Sequence, residues 1–168
     1  MGDAQRLGLV KFRETSAADV IHKIRRELQR IETADDPEVA SDHILNAFCS
    51  AWYVHAWMWG AIRDKPDLKH AVLCYRGLQH EPIHDAASFG TILAGRFVPL
   101  SICRLIATSA RFAHVQSAVK LTHARKQSEH VIFVLGKPIS AIRLLVEIDD
   151  YWVDMILDCG LVEGGQSK

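Results

Sequence analysis

The chain has 168 residues, of which 49% are hydrophobic and 24% charged, and its 20 basic side chains balance its 20 acidic ones. This length and composition predict one globular domain over residues 1–168, with flexible ends at 1–14 and 161–168. A net charge of zero excludes a global field that attracts nucleic acid or anionic membrane, so such a partner would need a local patch. The sequence has no run of about 18 apolar residues that would span a bilayer and no N-terminal apolar signal core, so we expect no membrane contact and a cytoplasmic location.

The first predicted helix lies in the stretch SAADVIHKIRRELQRIETA, which begins at Ser16. The Ser16 hydroxyl can cap this helix, and Asp19 places a negative charge near the positive end of the helix dipole. The apolar residues form a single stripe, which predicts a surface helix with one face packed inward. The stripe consists of Val20, Ile21, Ile24, Leu28 and Ile31.

The second predicted helix, DDPEVASDHILNAFCSAWYVHAWMWGAIRD, is expected to be the centre of the fold. Asp36 followed by Pro37 indicates its start, because aspartate caps a helix and proline suits the first helical position. Three of the four tryptophans lie in this helix, which is apolar nearly all round, as buried helices are. We therefore expect its aromatic residues to be core residues rather than a ligand-binding box. The predicted core face is Leu45, Phe48, Trp52, Ala56 and Trp59.

A polar stripe runs along the same helix and consists of His43, Asn46, Ser50 and Tyr53. Polar groups on so apolar a helix need hydrogen-bond partners. The stripe therefore either bonds to a neighbouring helix or lines a pocket, and the apolar surroundings favour internal bonding. His55, among the tryptophans, is expected to be a core histidine rather than a ligand.

The middle of the chain predicts three further helices. A short helix follows Pro66 and ends at Gly77. The next segment, HDAASFGTILAGRF, predicts a helix that its glycines interrupt, and PLSICRLIATSARFAH predicts a buried helix.

The hydrophobic period then changes. The segments VQSAVKLT and HVIFVL are short and β-branched, which predicts a hairpin between residues 115 and 136 that Gly136 and Pro138 end. The last segment, SAIRLLVEIDDYWVDMILDCG, predicts a helix whose core face is Ala141, Leu145, Ile148, Trp152 and Met155. The predicted fold class is mainly α, a bundle of five or six helices with one small β-hairpin before the C-terminal helix.

The stretch HEPIH, from His80 to His84, matches the H-E-x-x-H pattern of zinc proteases. That pattern needs a continuous helix, on which both histidines point at one metal and the glutamate lies beside the bound water. Pro82 pushes Glu81 out of the helical region and lacks the N–H that an interior position donates. We therefore predict that His80 and His84 hold no catalytic metal and that the protein uses no cofactor, with a zinc-dependent hydrolase as a distant alternative.

A polar stripe along PLSICRLIATSARFAH carries Arg104 and Arg111, and His114 lies three residues further on. Two arginines on one helix face can bind phosphate, and a neighbouring histidine can transfer protons. The alternative is an exposed helix face whose arginines pair with carboxylates. If the protein is catalytic, Arg104, Arg111 and His114 are the candidate catalytic residues.

The order of these segments resembles that of a group of uncharacterised bacterial and phage helical proteins. The resemblance covers roughly residues 40–158 and rests on FCSAWYVHAWMWG, PLSICRLIATSARFAH, the hairpin and LLVEIDDYWVDMIL. Such proteins are loosely similar to the HEPN helical bundles, in which an arginine and a histidine act on RNA. The resemblance thus implies an RNA-directed role for Arg104, Arg111 and His114, although Thr108 stands where the group usually carries asparagine.

Two functions of different classes follow. The first is a helical module that acts through protein–protein contacts and is expected to be oligomeric, which the neutral charge and the lack of a complete active site favour. The second is a HEPN-like RNA-binding or RNA-cleaving protein. An arginine and a histidine clustered inside the fold would favour the second function, and arginines paired at the surface would favour the first.

Overall fold

In a computed structural model, the described residues are 16–109, 119–123, 130–134, 136–158 and 160. Within these ranges the chain forms six helices and three strands. The helices are α1 (Ala17–Thr33), α2 (Pro37–Ile62), α3 (Pro66–Tyr75), α4 (Ala86–Arg96), α5 (Val98–Ser109) and α6 (Ala141–Asp158). The strands are β1 (Val119–His123), β2 (His130–Val134) and β3 (Lys137–Ser140). The ends predicted to be flexible, residues 1–14 and 161–168, lie outside the described residues.

The predicted fold class is confirmed, because the chain is mainly helical and β1 and β2 form an antiparallel hairpin before the C-terminal helix. The sequence does not predict β3, which pairs with β2 in the sheet order β1–β2–β3. Pro138 indicates the end of the hairpin, yet it lies inside β3. An edge strand tolerates proline because one side of it needs no ladder hydrogen bond. Gly136, with φ of 78°, provides the turn between β2 and β3.

The starts of the first two helices follow the predicted local chemistry. The Ser16 side chain accepts a hydrogen bond from the backbone N–H of Asp19 at 3.2 Å. The Asp36 side chain accepts one from the backbone N–H of Glu38 at 2.8 Å, and Pro37 is the first residue of α2. Each cap satisfies a donor that the helix itself leaves unpaired.

Helix α2 is the centre of the bundle and packs against α1, α3, α4, α5 and α6. Of its predicted core face, Phe48, Trp52 and Trp59 are buried. Leu45 is an exception, because 38% of it is exposed, and Ala56 is only half-buried. The central position of α2 explains why apolar residues occur nearly all round it.

Helix α3 ends at the predicted glycine. Gly77 has φ of 63°, and its N–H donates to the carbonyl of Cys74 at 2.9 Å. The N–H of Leu78 donates to the carbonyl of Leu73 at 2.6 Å, and the Leu78 side chain is fully buried. This pair of bonds is a Schellman motif, which a residue with a left-handed conformation makes possible.

Helix α4 corrects one expectation, because its glycines do not interrupt it. The helix is continuous from Ala86 to Arg96, and a capping box between Asp85 and Ser88 fixes its start. A Cβ atom at Gly90 would lie 2.5 Å from Cδ2 of His55. The glycine therefore serves the close approach of α4 to α2.

Helix α6 buries the predicted face, which consists of Ala141, Leu145, Ile148, Trp152 and Met155. The indole N–H of Trp152 donates to the carbonyl of Ala51 in α2 at 3.0 Å. Alternate residues of β2 are buried, and α6 packs against β2 and β3. In the part of the chain that the structure describes, no helix combines the length and apolar character that crossing a membrane requires.

Candidate interaction groove and the predicted site residues

An open groove lies between the start of α1, the second half of α2 and the end of α6. It encloses about 1000 Å³, which is the upper end of the range for small-molecule pockets. Small residues line much of it, namely Ala17, Ala18, Ala56, Gly60 and Ala61. A Cβ atom at Gly60 would meet no atom within 4 Å, so the space above this glycine is open.

Trp57 lies on the wall of this groove, and 38% of it is exposed. Trp52 and Trp59 in the same helix are only 7% exposed, and Trp152 in α6 is fully buried. The expectation that all tryptophans of this helix are core residues is therefore wrong for Trp57. The available signal was its angular position, because Trp57 lies off the face that carries Phe48, Trp52 and Trp59.

Larger apolar side chains and polar groups surround the small ones. Leu68 of α3 and Ile156 of α6 line the groove, and Leu157, next to Ile156, is 58% exposed. His22 and Lys65 lie at its edge and are exposed. The lining therefore combines small, larger apolar and polar residues, a mixture that protein-binding surfaces also contain.

A second cluster lies where α2, α4 and α5 meet, and it contains His55 and Arg104. His55 is buried beneath Gly90, and its ring contacts Trp52 with centroids 4.3 Å apart. Its Nδ1 atom is hydrogen-bonded to the backbone carbonyl of Trp52. Burial lowers the pKa of His55, and the charge of Arg104 lowers it further, while the bond to the Trp52 carbonyl acts in the opposite direction. His55 is therefore a neutral core histidine that donates from Nδ1.

Arg104 is half-buried and its guanidinium carbon lies 5.8 Å from the ring centroid of Trp52. Among the described residues it forms no ion pair with a carboxylate. The other two candidate catalytic residues, Arg111 and His114, lie outside the described residues. The structure thus brings Arg104 together with His55, a pairing that sequence reasoning missed because the two residues belong to different helices.

The residues of the polar stripe on α2 have different surroundings. They are His43, Asn46, Ser50 and Tyr53. The Nδ1 atom of His43 lies 2.7 Å from Oε2 of Glu27 in α1, so this histidine bonds to a neighbouring helix. Ser50 is buried, Tyr53 is half-buried and Asn46 is exposed. None of the four lines the groove beside Trp57.

The HEPIH stretch lies in the loop before α4. The helix begins at Ala86 with Asp85 as its cap, so both His80 and His84 precede it. Glu81 forms an ion pair with Arg96, and the backbone N–H of His84 donates to Oγ of Ser88 at 3.0 Å. Among the described side chains, no group of three or more histidines, cysteines or carboxylates is placed to hold a metal.

A stack of flat side chains that the sequence does not predict joins α3 to α6. Phe97 stacks on Tyr151 with centroids 4.4 Å apart and an interplanar angle of 8°. The Arg76 guanidinium lies over the rings of two tyrosines, 4.1 Å from the centroid of Tyr151 and 4.8 Å from that of Tyr75. Arg76 also donates to the backbone carbonyl of Tyr151 at 3.0 Å, and burial raises the pKa of Tyr151. This stack fixes the end of α3 against the bundle.

Comparison of the chain with known proteins provides no relative, so any functional assignment rests on the local observations above. Neither the groove nor the His55–Arg104 cluster can be transferred from a relative. No protein-family model, no characterised protein and no solved structure matches the chain.

Proposed function

We propose that the protein is a helical interaction module that associates with a second copy of itself through the groove beside Trp57. The exposed Trp57 carries this proposal, because a tryptophan in an otherwise small-residue groove is the type of residue that dominates binding energy. The net charge of zero supports self-association, since two copies do not repel each other. A cytoplasmic location belongs to the same proposal.

The groove supports a contact in which an apolar segment packs closely against α2. Small side chains at Ala56, Gly60 and Ala61 let a second backbone come near. Leu157, which lies in the chain between the lining residues Ile156 and Gly160, is an exposed apolar side chain that a second copy could also cover. Removing a hot-spot tryptophan typically costs about 2 kcal/mol or more, which weakens binding about 30-fold.

Sedimentation velocity over a concentration series tests the proposal. The wild-type protein should show a mass that rises with concentration, and Trp57→Ser and Leu157→Ser should each shift this rise to higher concentration. Val98→Ser is the matched control, because Val98 is 71% exposed but lies at the start of α5 and does not line the groove. A wild-type protein that stays monomeric throughout, or three variants that behave alike, would refute the proposal.

A second candidate function is RNA binding, with or without cleavage. The observation that favours it is the position of Arg104, which lies against Trp52 and beside His55 without a carboxylate partner among the described residues. Arginine planes and aromatic rings together are typical of surfaces that bind single-stranded nucleic acid. In this proposal Arg104 and Arg111 contact phosphates and His114 is the acid–base group.

Three alanine substitutions test the RNA proposal. Arg104→Ala and Arg111→Ala should weaken RNA binding and reduce its salt dependence, because fewer counterions are released. His114→Ala should keep binding and lower cleavage by a factor of about 10² to 10⁴. Arg143→Ala is the control, since Arg143 is exposed and bonds to Glu147 in α6. If the wild-type protein binds no RNA at low salt, the second candidate is excluded and the interaction module remains.

A further inference from the structure

We propose that Cys49 and Cys103 are a thiol pair that hydrogen peroxide closes into a reversible disulfide between α2 and α5. Neither cysteine lines the groove beside Trp57, so this inference goes beyond the proposed function and does not depend on it. Both residues are thiols in the structure, with Cys49 half-buried and Cys103 fully buried. They belong to two helices that pack directly against each other.

One hydrogen bond places the two cysteines side by side. The Cys103 thiol donates to the backbone carbonyl of Phe48 at 3.3 Å, and Cys49 is the residue that follows this carbonyl in the chain. Within a trans peptide unit the carbonyl oxygen lies about 2.8 Å from the Cα atom of the next residue. The distance from Sγ of Cys103 to Cα of Cys49 is therefore at most about 6.1 Å. A disulfide needs Cβ atoms about 3.5 to 4.5 Å apart, and this limit permits that separation.

Cys49 is also close enough to affect the ionisation of Cys103. Burial raises the pKa of the Cys103 thiol well above its ordinary value, and the neighbouring Cys49 raises it further. Cys103 therefore stays protonated, and a protonated thiol reacts slowly with a peroxide because the thiolate is the nucleophile. Cys49 is only half-buried, so we assign the first oxidation to its sulfur.

The disulfide forms in two steps. In the first, the sulfur of Cys49 attacks one oxygen of hydrogen peroxide, the O–O bond breaks, and a sulfenic acid and one water result. In the second, the sulfur of Cys103 attacks the sulfur of Cys49 and the S–O bond breaks. The hydroxyl group leaves as water with the thiol proton of Cys103, so two thiols and one peroxide give one disulfide and two waters. The position of Cys103 favours the second step, because holding two reactants together raises their effective concentration.

The bond would fasten α5 to α2 across a long part of the chain. The segment between the two cysteines contains α3 and α4 in full. Closing so long a loop restricts the unfolded chain, which stabilises the fold. Arg104 follows Cys103 in α5 and lies over Trp52 of α2, so the same bond holds the His55–Arg104 cluster together. In the proposed cytoplasmic location disulfides are usually transient and sense oxidants, so the expected role of the pair is a redox switch.

Mass spectrometry of a two-cysteine protein tests the inference. The double variant Cys74→Ser with Cys159→Ser retains only Cys49 and Cys103. Folded and treated with one equivalent of hydrogen peroxide, it should lose two hydrogen atoms, and neither thiol should then react with N-ethylmaleimide after unfolding in urea. Dithiothreitol should restore both reactions. A non-reducing denaturing gel should show a single chain, and the Tm should be higher by about 5 to 15 °C than that of the reduced protein.

Removing each cysteine of the pair separates the two steps. In the two-cysteine background, Cys103→Ala should stop at the sulfenic acid, which dimedone traps at Cys49. Cys49→Ser should take up no dimedone, because the thiol that remains is fully buried. Circular dichroism checks that each variant folds, and Cys49→Ser is the milder change because Cys49 is half-buried.

Four results would each overturn the inference. The first is that both thiols of the folded two-cysteine protein stay reactive after peroxide treatment. The second is a disulfide between two chains instead of within one, and the third is a disulfide that lowers the Tm. The fourth is equal labelling by dimedone of the two-cysteine protein and its Cys103→Ala variant, which would show that Cys103 does not react with oxidised Cys49.

Discussion

Gly90 offers the most direct test of the packing between α2 and α4. A Cβ atom at this position would lie 2.5 Å from Cδ2 of His55 and 2.8 Å from both Cγ and Nε2. The His55 ring is buried, packs on Trp52 and is hydrogen-bonded to the Trp52 carbonyl. Gly90→Ala therefore has to move the ring, the helix or both.

The sign of the effect follows from three contributions. Alanine is about 1 kcal/mol better than glycine inside a helix, which favours the variant. Overpacking a filled core typically costs about 1 to 3 kcal/mol, and losing the hydrogen bond of His55 costs about 1 kcal/mol more. We expect Gly90→Ala to lower the free energy of unfolding by about 1 to 3 kcal/mol, or the Tm by about 2 to 4 °C for each kcal/mol.

Gly95 is the matched control, because it lies in the same helix and a Cβ atom there would meet no atom within 4 Å. Gly95→Ala should raise the free energy of unfolding by about 0.5 to 1 kcal/mol. Urea denaturation followed by circular dichroism measures both variants. The double variant Gly90→Ala with His55→Ala should cost less than the sum of the two single changes, because the new methyl group then has room. Equal stabilisation by Gly90→Ala and Gly95→Ala would refute the close approach of α4 to His55.

Three further predictions concern charge and metal. Burial lowers the pKa of His55, so the unfolded chain binds a proton at this histidine more readily than the folded chain does. The free energy of unfolding should therefore fall as the pH drops below the ordinary pKa of 6.5, by at most about 1.4 kcal/mol per pH unit. His55→Gln should flatten this fall in urea titrations at several pH values. In the same assay, Arg25→Ala should lower the free energy of unfolding by about 2 kcal/mol and Asp149→Asn by less than about 1 kcal/mol. The reason is that Asp149 is buried with its Oδ1 unpaired among the described residues, whereas Arg25, 2.8 Å from Oδ2 of Asp149, is half-exposed. A larger effect of Asp149→Asn than of Arg25→Ala would contradict this account. Elemental analysis of chelator-washed protein should find no stoichiometric zinc, and a zinc that is retained by the wild type but lost in His84→Ala would show that HEPIH binds metal.

Interactions between residues that are close in the chain determine several helix ends, and these ends can be predicted from the sequence. The caps at Ser16 and Asp36 and the Schellman motif at Gly77 depend on residues within a few positions of one another, so the sequence alone predicts these helix ends. The buried face of α6 follows from helical periodicity in the same way. The capping box of Asp85 and Ser88 is local too, and it starts α4 after the end of the HEPIH stretch.

Contacts between distant segments were decided only by the tertiary structure. The pattern of apolar and polar residues in the sequence does not show that Gly90 lies against His55. It also does not show that Arg104, from a third helix, lies near His55. The ion pair of Arg25 with Asp149 spans 124 residues. Pattern recognition fails in such cases because a periodicity reports which residues share a face, and not which other segment covers that face.

Trp57 shows this division most clearly. The sequence places it on an apolar helix, and burial is the ordinary expectation for tryptophan there. Whether it is covered depends on how α1 and α6 pack beside α2, and in the described part of the chain they leave a groove in front of it. The sequence by itself determined the starts of α1 and α2, the end of α3 and the mainly α class, because these depend on nearby residues. The exposed tryptophan, the groove and the strand β3 were decided by packing between segments far apart in the chain.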